Sequence, residues 1–272
     1  MYWGITIISV ITAFIIEAIV LYFILGLLKD GGAIRKNYKG AEIPVSAGIS
    51  FPITVILIYI IYSLAGIFTP SHQQFLFGIT SISFLGFIDD MLGSRDTTGF
   101  KGHIGLLLKG KMTTGGLKAL GGGMIAFFLA LSISRQLSEM VINLLLIALF
   151  TNALNLMDLR PGRAIKVYLF AVLVLALGAA GRLDWVMISP LLGAVVCYFY
   201  TDLKARAMMG DSGSNVLGIS LGFACAISLA LIFKIFIVIL LIGIHILAER
   251  YSITRIIENV PILRAIDDLG RG

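Results

Sequence analysis

The sequence predicts an all-α integral membrane protein, and three observations carry that prediction. Hydrophobic residues make up 58 % of the 272 and charged residues only 13 %, with a mean hydropathy of +1.00; that is more apolar surface than one soluble core hides. The apolar residues come in runs suited to helices crossing roughly 30 Å of hydrocarbon, for which about 17–25 residues are needed. Lys and Arg are concentrated in alternate connections between those runs.

Nine spans follow in order: 3–28, 45–66, 72–88, 115–133, 139–155, 167–181, 185–201, 214–231 and 233–248. The first is too long for the core of a cleavable signal and is followed by charge, so it reads as a retained helix. It carries Glu17 half-way along, a carboxylate that must face protein or be protonated. The spans 72–88, 167–181 and 185–201 are short and predict nearly upright helices. The connections 29–44, 89–118, 156–166, 202–213 and 249–272 hold 18 of the 21 Lys and Arg residues, leaving Arg135, Arg182 and Lys234 on the other side. That asymmetry places the basic set in the cytoplasm, the N-terminus outside and the C-terminus inside. One transmembrane catalytic domain, 1–272, is expected in the cell membrane as a multi-pass protein.

The net charge of +6 is what cytoplasmic flanks facing anionic membrane lipids require. No basic stripe with interleaved aromatics exists, which argues against nucleic acid as a partner. Cys197 and Cys225 lie in apolar runs without metal or redox spacing and read as small core residues. His72 reads as a solvated loop residue, His103 as part of a loop, and His245 as paired with Glu249 four residues on. The tail from Arg250 to Arg264 has Ile253, Ile256, Ile257 and Val260 at helical spacing and reads as one amphipathic helix on the inner surface.

With the inside fixed, the carboxylates gather on one face: Asp89, Asp90, Asp96, Asp158, Asp202, Asp211, Glu249, Glu258, Asp267 and Asp268 all lie in or beside cytoplasmic connections. Three segments share a form that simple loops do not need. "GFIDDMLGS" sets Asp89 and Asp90 near a helix end, "TNALNLMDLRPGRA" supplies Asn152, Asn155 and Asp158, and "MMGDSGSN" sets Asp211 among Gly and Ser at a helix start. Oxygen ligands of this kind suit a hard divalent cation, Mg²⁺ or Mn²⁺, which keeps waters and leaves positions for substrate phosphates. A helix start adds free N–H groups and a dipole that favour an anion. The plain reading of each loop alone is a solvated flank, a turn or an N-cap; three on one face, with Lys101, Lys109, Lys111 and Lys118 between them, point to one metal and phosphate site.

At these residues the sequence resembles the polyprenyl-phosphate N-acetylhexosamine-1-phosphate transferases. The resemblance is carried by "IRKNYKGAEIPVSAGI" (34–49), "FLGFIDDMLG" (84–93), "NALNLMD" (152–158) and "MMGDSGSNVLG" (208–218), in that order. It implies a Mg²⁺-dependent helical bundle that moves a sugar 1-phosphate from a UDP-sugar to polyprenyl phosphate and releases UMP, an early membrane step of cell-wall or surface-glycan synthesis. It further implies that Asp211 holds the metal and that Asp89 and Asp90 are the family's aspartate pair, acting as metal ligand or as base on the lipid phosphate. Lys118 meets a phosphate oxygen or anchors the inner boundary. Asn155 and Asp158 lie by the nucleotide, with helix capping as the other reading of Asn155. Arg35, Lys36 and Lys39 meet the lipid phosphate or anionic headgroups. A homodimer is implied by resemblance alone.

The sequence departs from the family pattern in two places. The usual second aspartate of the Asn-Leu-x-Asp motif falls at Pro161, with Arg160 and Arg163 beside it as candidates for a donor phosphate. The last connection lacks the histidine cluster that accompanies a pentapeptide-bearing donor. Rival readings are an inactive relative and a transporter or scaffold, although a transporter requires mid-depth polar residues on several helices.

Overall fold

The computed structural model describes residues 2–93 and 112–271. The stretch after Gly93 that carries Lys101, His103, Lys109 and Lys111 lies outside the described residues. The described chain is helical apart from a two-stranded antiparallel hairpin. In order it forms α1 (Tyr2–Asp30), β1 (Ile34–Lys36), β2 (Glu42–Pro44), a 3₁₀ turn (Ala47–Ile49), α2 (Ser50–Leu64), α3 (Pro70–Leu92), α4 (Thr114–Ile133), α5 (Leu137–Met157), α6 (Arg163–Gly178), α7 (Trp185–Leu203), α8 (Asp211–Ser228), α9 (Leu231–Arg250), α10 (Ile253–Asn259) and α11 (Pro261–Asp268).

Nine spans were expected; among the described residues seven helices are long and apolar enough to cross a membrane, α1 to α5, α7 and α9, and α6 and α8 stand at two further expected stretches. The other two differ for physical reasons. α6 has only 16 residues. α8 opens with Asp-Ser-Gly-Ser-Asn, and every residue in it except Asp211 and Ile227 is buried; a helix wrapped in protein does not need the hydropathy of one that meets lipid.

α8 is the central post of the bundle, and its small residues set how near its neighbours come. A Cβ on Gly218 would run into the backbone of Phe150 and Thr151, and one on Gly222 would come 2.6 Å from the Cα of Ile147. α5 therefore lies directly against α8, as glycine-lined faces permit between membrane helices. α1 packs on α7, where Gly193 meets Ala13 and the backbone of Val10 and Phe14.

Glu17 finds its partners in α2: Ser50 Oγ donates to its Oε1 at 2.5 Å and Thr54 Oγ1 to its Oε2 at 2.6 Å. Pro190 inside α7 has no N–H for the Val186 carbonyl. Ser189 Oγ and Tyr62 OH donate to that oxygen instead, at 3.1 and 3.2 Å.

Three local expectations are corrected. His72 is buried, 2 % exposed, because it closes a capping box at the start of α3: Thr69 Oγ1 accepts its N–H and its Nδ1 accepts that of Thr69. His245 Nδ1 bonds the Leu241 carbonyl one turn back, at 2.7 Å, in place of Glu249. The C-terminal tail is two short helices, since Pro261 cannot continue the hydrogen bonding of α10.

All five basic connections meet at one end of the bundle. Asn37 bonds Ala205, Arg35 bonds Asp90, Lys204 bonds Gly270 and Arg271 bonds Pro161. At the other end Trp3 packs on Trp185 with ring centroids 5.8 Å apart, and the buried Lys234 pairs with Glu139 at 3.2 Å.

Candidate active site

The basic end is assembled around the start of α8. α3 approaches so closely that a Cβ on Gly86 would strike the carbonyl of Asp211 and sit 2.6 Å from the nitrogen of Ser212. Ser83 fixes the register by donating to the Ser212 carbonyl at 2.8 Å. From the opposite side Gly48 meets Gly213, and the backbone N–H groups of Ala47 and Gly48 donate to the carbonyls of Met208 and Met209 at 3.0 Å. Gly210 turns the chain into α8 with φ +70°, a conformation that glycine adopts without steric cost.

This packing brings Asp89, Asp211 and Lys118 together. Lys118, early in α4, donates to Asp89 Oδ2 at 2.8 Å and also bonds Asp211 Oδ2. Asp89 and Asp211 are themselves within hydrogen-bonding reach, and Thr114 bonds Asp89. Each of the three side chains is about one-fifth exposed, so the pair is screened less than a surface pair and still meets the aqueous rim.

Asp90 faces the other way. Its Oδ1 accepts the N–H of Asp211 at 3.2 Å, while Oδ2 accepts that of Ser212 at 3.3 Å and the Ser46 hydroxyl at 2.6 Å. A carboxylate on the first N–H groups of a helix satisfies free donors and complements the dipole. Of the three carboxylates expected to act together, Asp89 and Asp211 face each other across Lys118, and Asp90 is engaged with the start of α8.

Among the described residues no three carboxylate, imidazole or thiol groups form a metal cage. Two facing carboxylates with one cation between them, here the Lys118 ammonium, do fit a hard ion that binds one or two carboxylates and completes its shell with water and phosphate.

Beside this cluster lies a cavity of about 300 Å³, lined by Tyr38, Asp90, Asn155, Asp158, Arg160, Asp202 and Asp211 among others. Asn155 accepts from Ser214 Oγ at 3.2 Å, tying α5 to the first turn of α8. Asp202 Oδ2 accepts the Gly162 N–H at 2.9 Å and so shapes the α5–α6 loop. Burial pushes the Asp158 carboxyl well above the ordinary aspartate value, and the nearby charges of Asp202, Asp211 and Asp90 push the same way.

The sequence pattern of glycosyl transferase family 4 matches residues 72–230, more than half of the chain, from the first turn of α3 to the end of α8. The chain belongs to glycosyl transferase family 4. It is also similar to the phospho-N-acetylmuramoyl-pentapeptide-transferases of two strains of Borreliella burgdorferi. Each is 24 % identical over 279 residues, which covers 90 % of this chain and 79 % of the relative.

In this family 4 chain the expected site residues divide. Asp89, Asp90, Asp211 and Lys118 converge; Asn155, Asp158 and Arg160 line the cavity. Three others do not. Asn152 is exposed on α5 beside His245 and Glu249 of α9 and does not line the cavity.

Arg163 is buried, 3 % exposed, and its guanidinium is spent on Asp267 through two contacts of 2.8 Å and on Thr254 at 3.0 Å. It anchors the C-terminal helices and has no face left for a phosphate. Lys39 is exposed at the hairpin turn with its ammonium 5.5 Å from the Tyr38 ring centre, and does not line the cavity.

Sequence reasoning missed Tyr38, Ser46 and Asp202. Asp202 offered one signal, a carboxylate on the acidic face of the molecule. Tyr38 and Ser46 offered none beyond lying in a loop that carries the resemblance.

Proposed function

We propose that this chain transfers a sugar 1-phosphate, of the N-acetylhexosamine class, from a UDP-sugar to polyprenyl phosphate, giving polyprenyl-diphospho-sugar and UMP. The observation that carries the reading is the Asp89–Lys118–Asp211 cluster beside a polar cavity, at the end of the bundle where the basic connections meet. Family membership and the named activity of the relatives support it.

In the reaction an oxygen of the lipid phosphate attacks the sugar-bearing phosphorus of the donor. The bond from that phosphorus to the bridging oxygen breaks, and UMP leaves with the electron pair. Such a transfer needs positioning and charge neutralisation more than covalent help from the protein.

Asp89 and Asp211 would hold Mg²⁺, which supplies neutralisation of the diphosphate when bound. Lys118 lies within reach of the same oxygens and would take a non-bridging one. Asp90 keeps the α8 start, and with it Asp211, in a fixed place. Asp158 would line the donor pocket, and Asn155 would orient the nucleotide. Of the motif's two extra arginines Arg160 lines the cavity, paired with Glu258 at 3.7 Å, while Asp267 neutralises Arg163.

We place the active face in the cytoplasm, with nine spans and the N-terminus outside, from the Lys and Arg distribution. The test is purified protein with undecaprenyl phosphate, Mg²⁺ and a panel of UDP-sugars that includes N-acetylglucosamine and N-acetylmuramoyl-pentapeptide donors. UMP is expected with at least one donor; none with any of them refutes the reading.

A further inference from the structure

We infer that Tyr38 is the nucleobase platform of the donor pocket, its ring and the Arg160 guanidinium receiving the pyrimidine of the UDP-sugar and of the UMP product. The inference rests on the UDP-sugar reading above. A nucleotide has two ends with different needs, and the cavity has two ends to match. Its phosphates need cations and fixed donors, which gather at Asp89, Lys118 and the α8 start. Its base is a flat π-surface that gains from stacking on an aromatic side chain or a planar guanidinium.

Among the described residues Tyr38 is the one aromatic side chain lining the cavity. It is 43 % exposed, with the Lys39 ammonium 5.5 Å from its ring centre. The Arg160 guanidinium carbon lies 5.8 Å from its ring centre, and Arg160 is steadied from behind by Glu258 at 3.7 Å.

The hairpin holds Tyr38 firmly despite its exposure. Asn37 Oδ1 accepts the N–H groups of Lys39 and Ala41 at 2.9 and 3.0 Å, and Gly40 takes the φ of +80° that closes the turn. Asn37 Nδ2 also reaches the Ala205 carbonyl at 3.4 Å. At its base the hairpin is bonded to the segment before α8 through the Met208 N–H on Pro44 O at 2.8 Å.

The spacing also fits. Ser46, at the hairpin base, bonds Asp90, while Tyr38 sits at the tip. The paired stretch between them spans three residues per strand, roughly 10 Å at about 3.3 Å per residue, which is the order of a nucleotide's length from base to phosphate. The other reading of an exposed Tyr at a membrane boundary is an interfacial anchor, and the experiment separates the two.

The test compares the full-length chain with Tyr38→Ala, Tyr38→Phe and Tyr38→Trp in the UMP-release assay and by fluorescence. Trp3 and Trp185, the two native tryptophans, pair at the opposite end, so emission introduced at position 38 reports locally. The expected results are a KM for the UDP-sugar raised roughly tenfold or more in Tyr38→Ala with kcat nearly unchanged, near-wild-type kinetics in Tyr38→Phe, and saturable quenching of Tyr38→Trp by UMP but not by inorganic pyrophosphate. If the wild type releases UMP while Tyr38→Ala keeps its KM, or loses kcat and KM alike, the platform is wrong and the transferase reading stands. No quenching of an active Tyr38→Trp also overturns it. No UMP from the wild type with any donor removes both.

Discussion

Lys118 makes the residue-scale argument concrete. Two carboxylates about 4 Å apart repel by roughly 4 kcal/mol at an effective dielectric near 20, and the Lys118 ammonium between Asp89 and Asp211 reverses the sign of that term. Replacing it, Lys118→Met, is expected to lower the melting temperature of metal-free protein, by an equivalent of about 1–3 kcal/mol. Millimolar Mg²⁺ should restore the loss, because a second cation then fills the gap. A melting curve unmoved by both changes would show that the two aspartates do not share a cation.

Asp211→Asn and Asp89→Asn keep shape and remove charge. Each should cut UMP release at least a hundredfold while the melting transition stays within a few degrees, since electrostatic groups at a transferring phosphoryl contribute on this scale. Asp90→Ala should behave differently. It uncaps α8 and is expected to cost about 1–2 kcal/mol of stability as well as activity, which thermal melts would register.

Among the elements, the contact of α3 with the start of α8 is the least forgiving. Gly86→Ala would drive a methyl into the backbone of Asp211 and Ser212, and neither helix has a flexible side chain there to move aside. We expect a loss of about 1–3 kcal/mol and near-complete loss of activity, read by melting and UMP release; a fully active Gly86→Ala would mean the helices do not sit this close.

The C-terminal pair α10 and α11 depends on one buried ion pair. Burial works to raise the Asp267 carboxyl, but the hydrogen bonds and charge of Arg163, with Arg271 behind them, outweigh it and hold the group below its ordinary value of 3.8. The sign follows from that direction: the stabilisation is present above the unfolded value and fades as pH falls through the lower folded one. Hydrogen exchange over 253–268 should therefore be slow at pH 6 and rise only in strong acid. In Arg163→Met it should be fast at both.

For the whole molecule, the described parts of the five basic connections meet at the end that holds the acidic site, while Lys234, in the first turn of α9, pairs with Glu139 at the other end. In cells carrying single cysteines on a Cys-free background, an impermeant thiol reagent is expected to label Arg182→Cys from outside and Arg206→Cys only after the membrane is opened. The reverse pattern would invert the topology.

This face was largely legible in the sequence, because hydropathy and the Lys and Arg bias act on long segments and do not depend on where a side chain points. The convergence of Asp89 and Asp211 was legible too, through glycine-rich motifs at helix ends. What failed depended on which neighbour each side chain meets: Asn152 and Asn155 lie one turn apart, yet Asn152 opens beside α9 and Asn155 bonds α8. Arg163 looks like a phosphate ligand until Asp267, 104 residues on, is folded against it.

The sequence by itself determined the solvent of this protein, its helices and the end that carries the charge, since each is a sum over many residues and survives errors at any one. The tertiary structure alone decided which carboxylates face each other, which one caps α8, and that a hairpin tyrosine overlooks the cavity. Those outcomes depend on contacts of a few ångströms between segments far apart in the chain, and no local pattern records them.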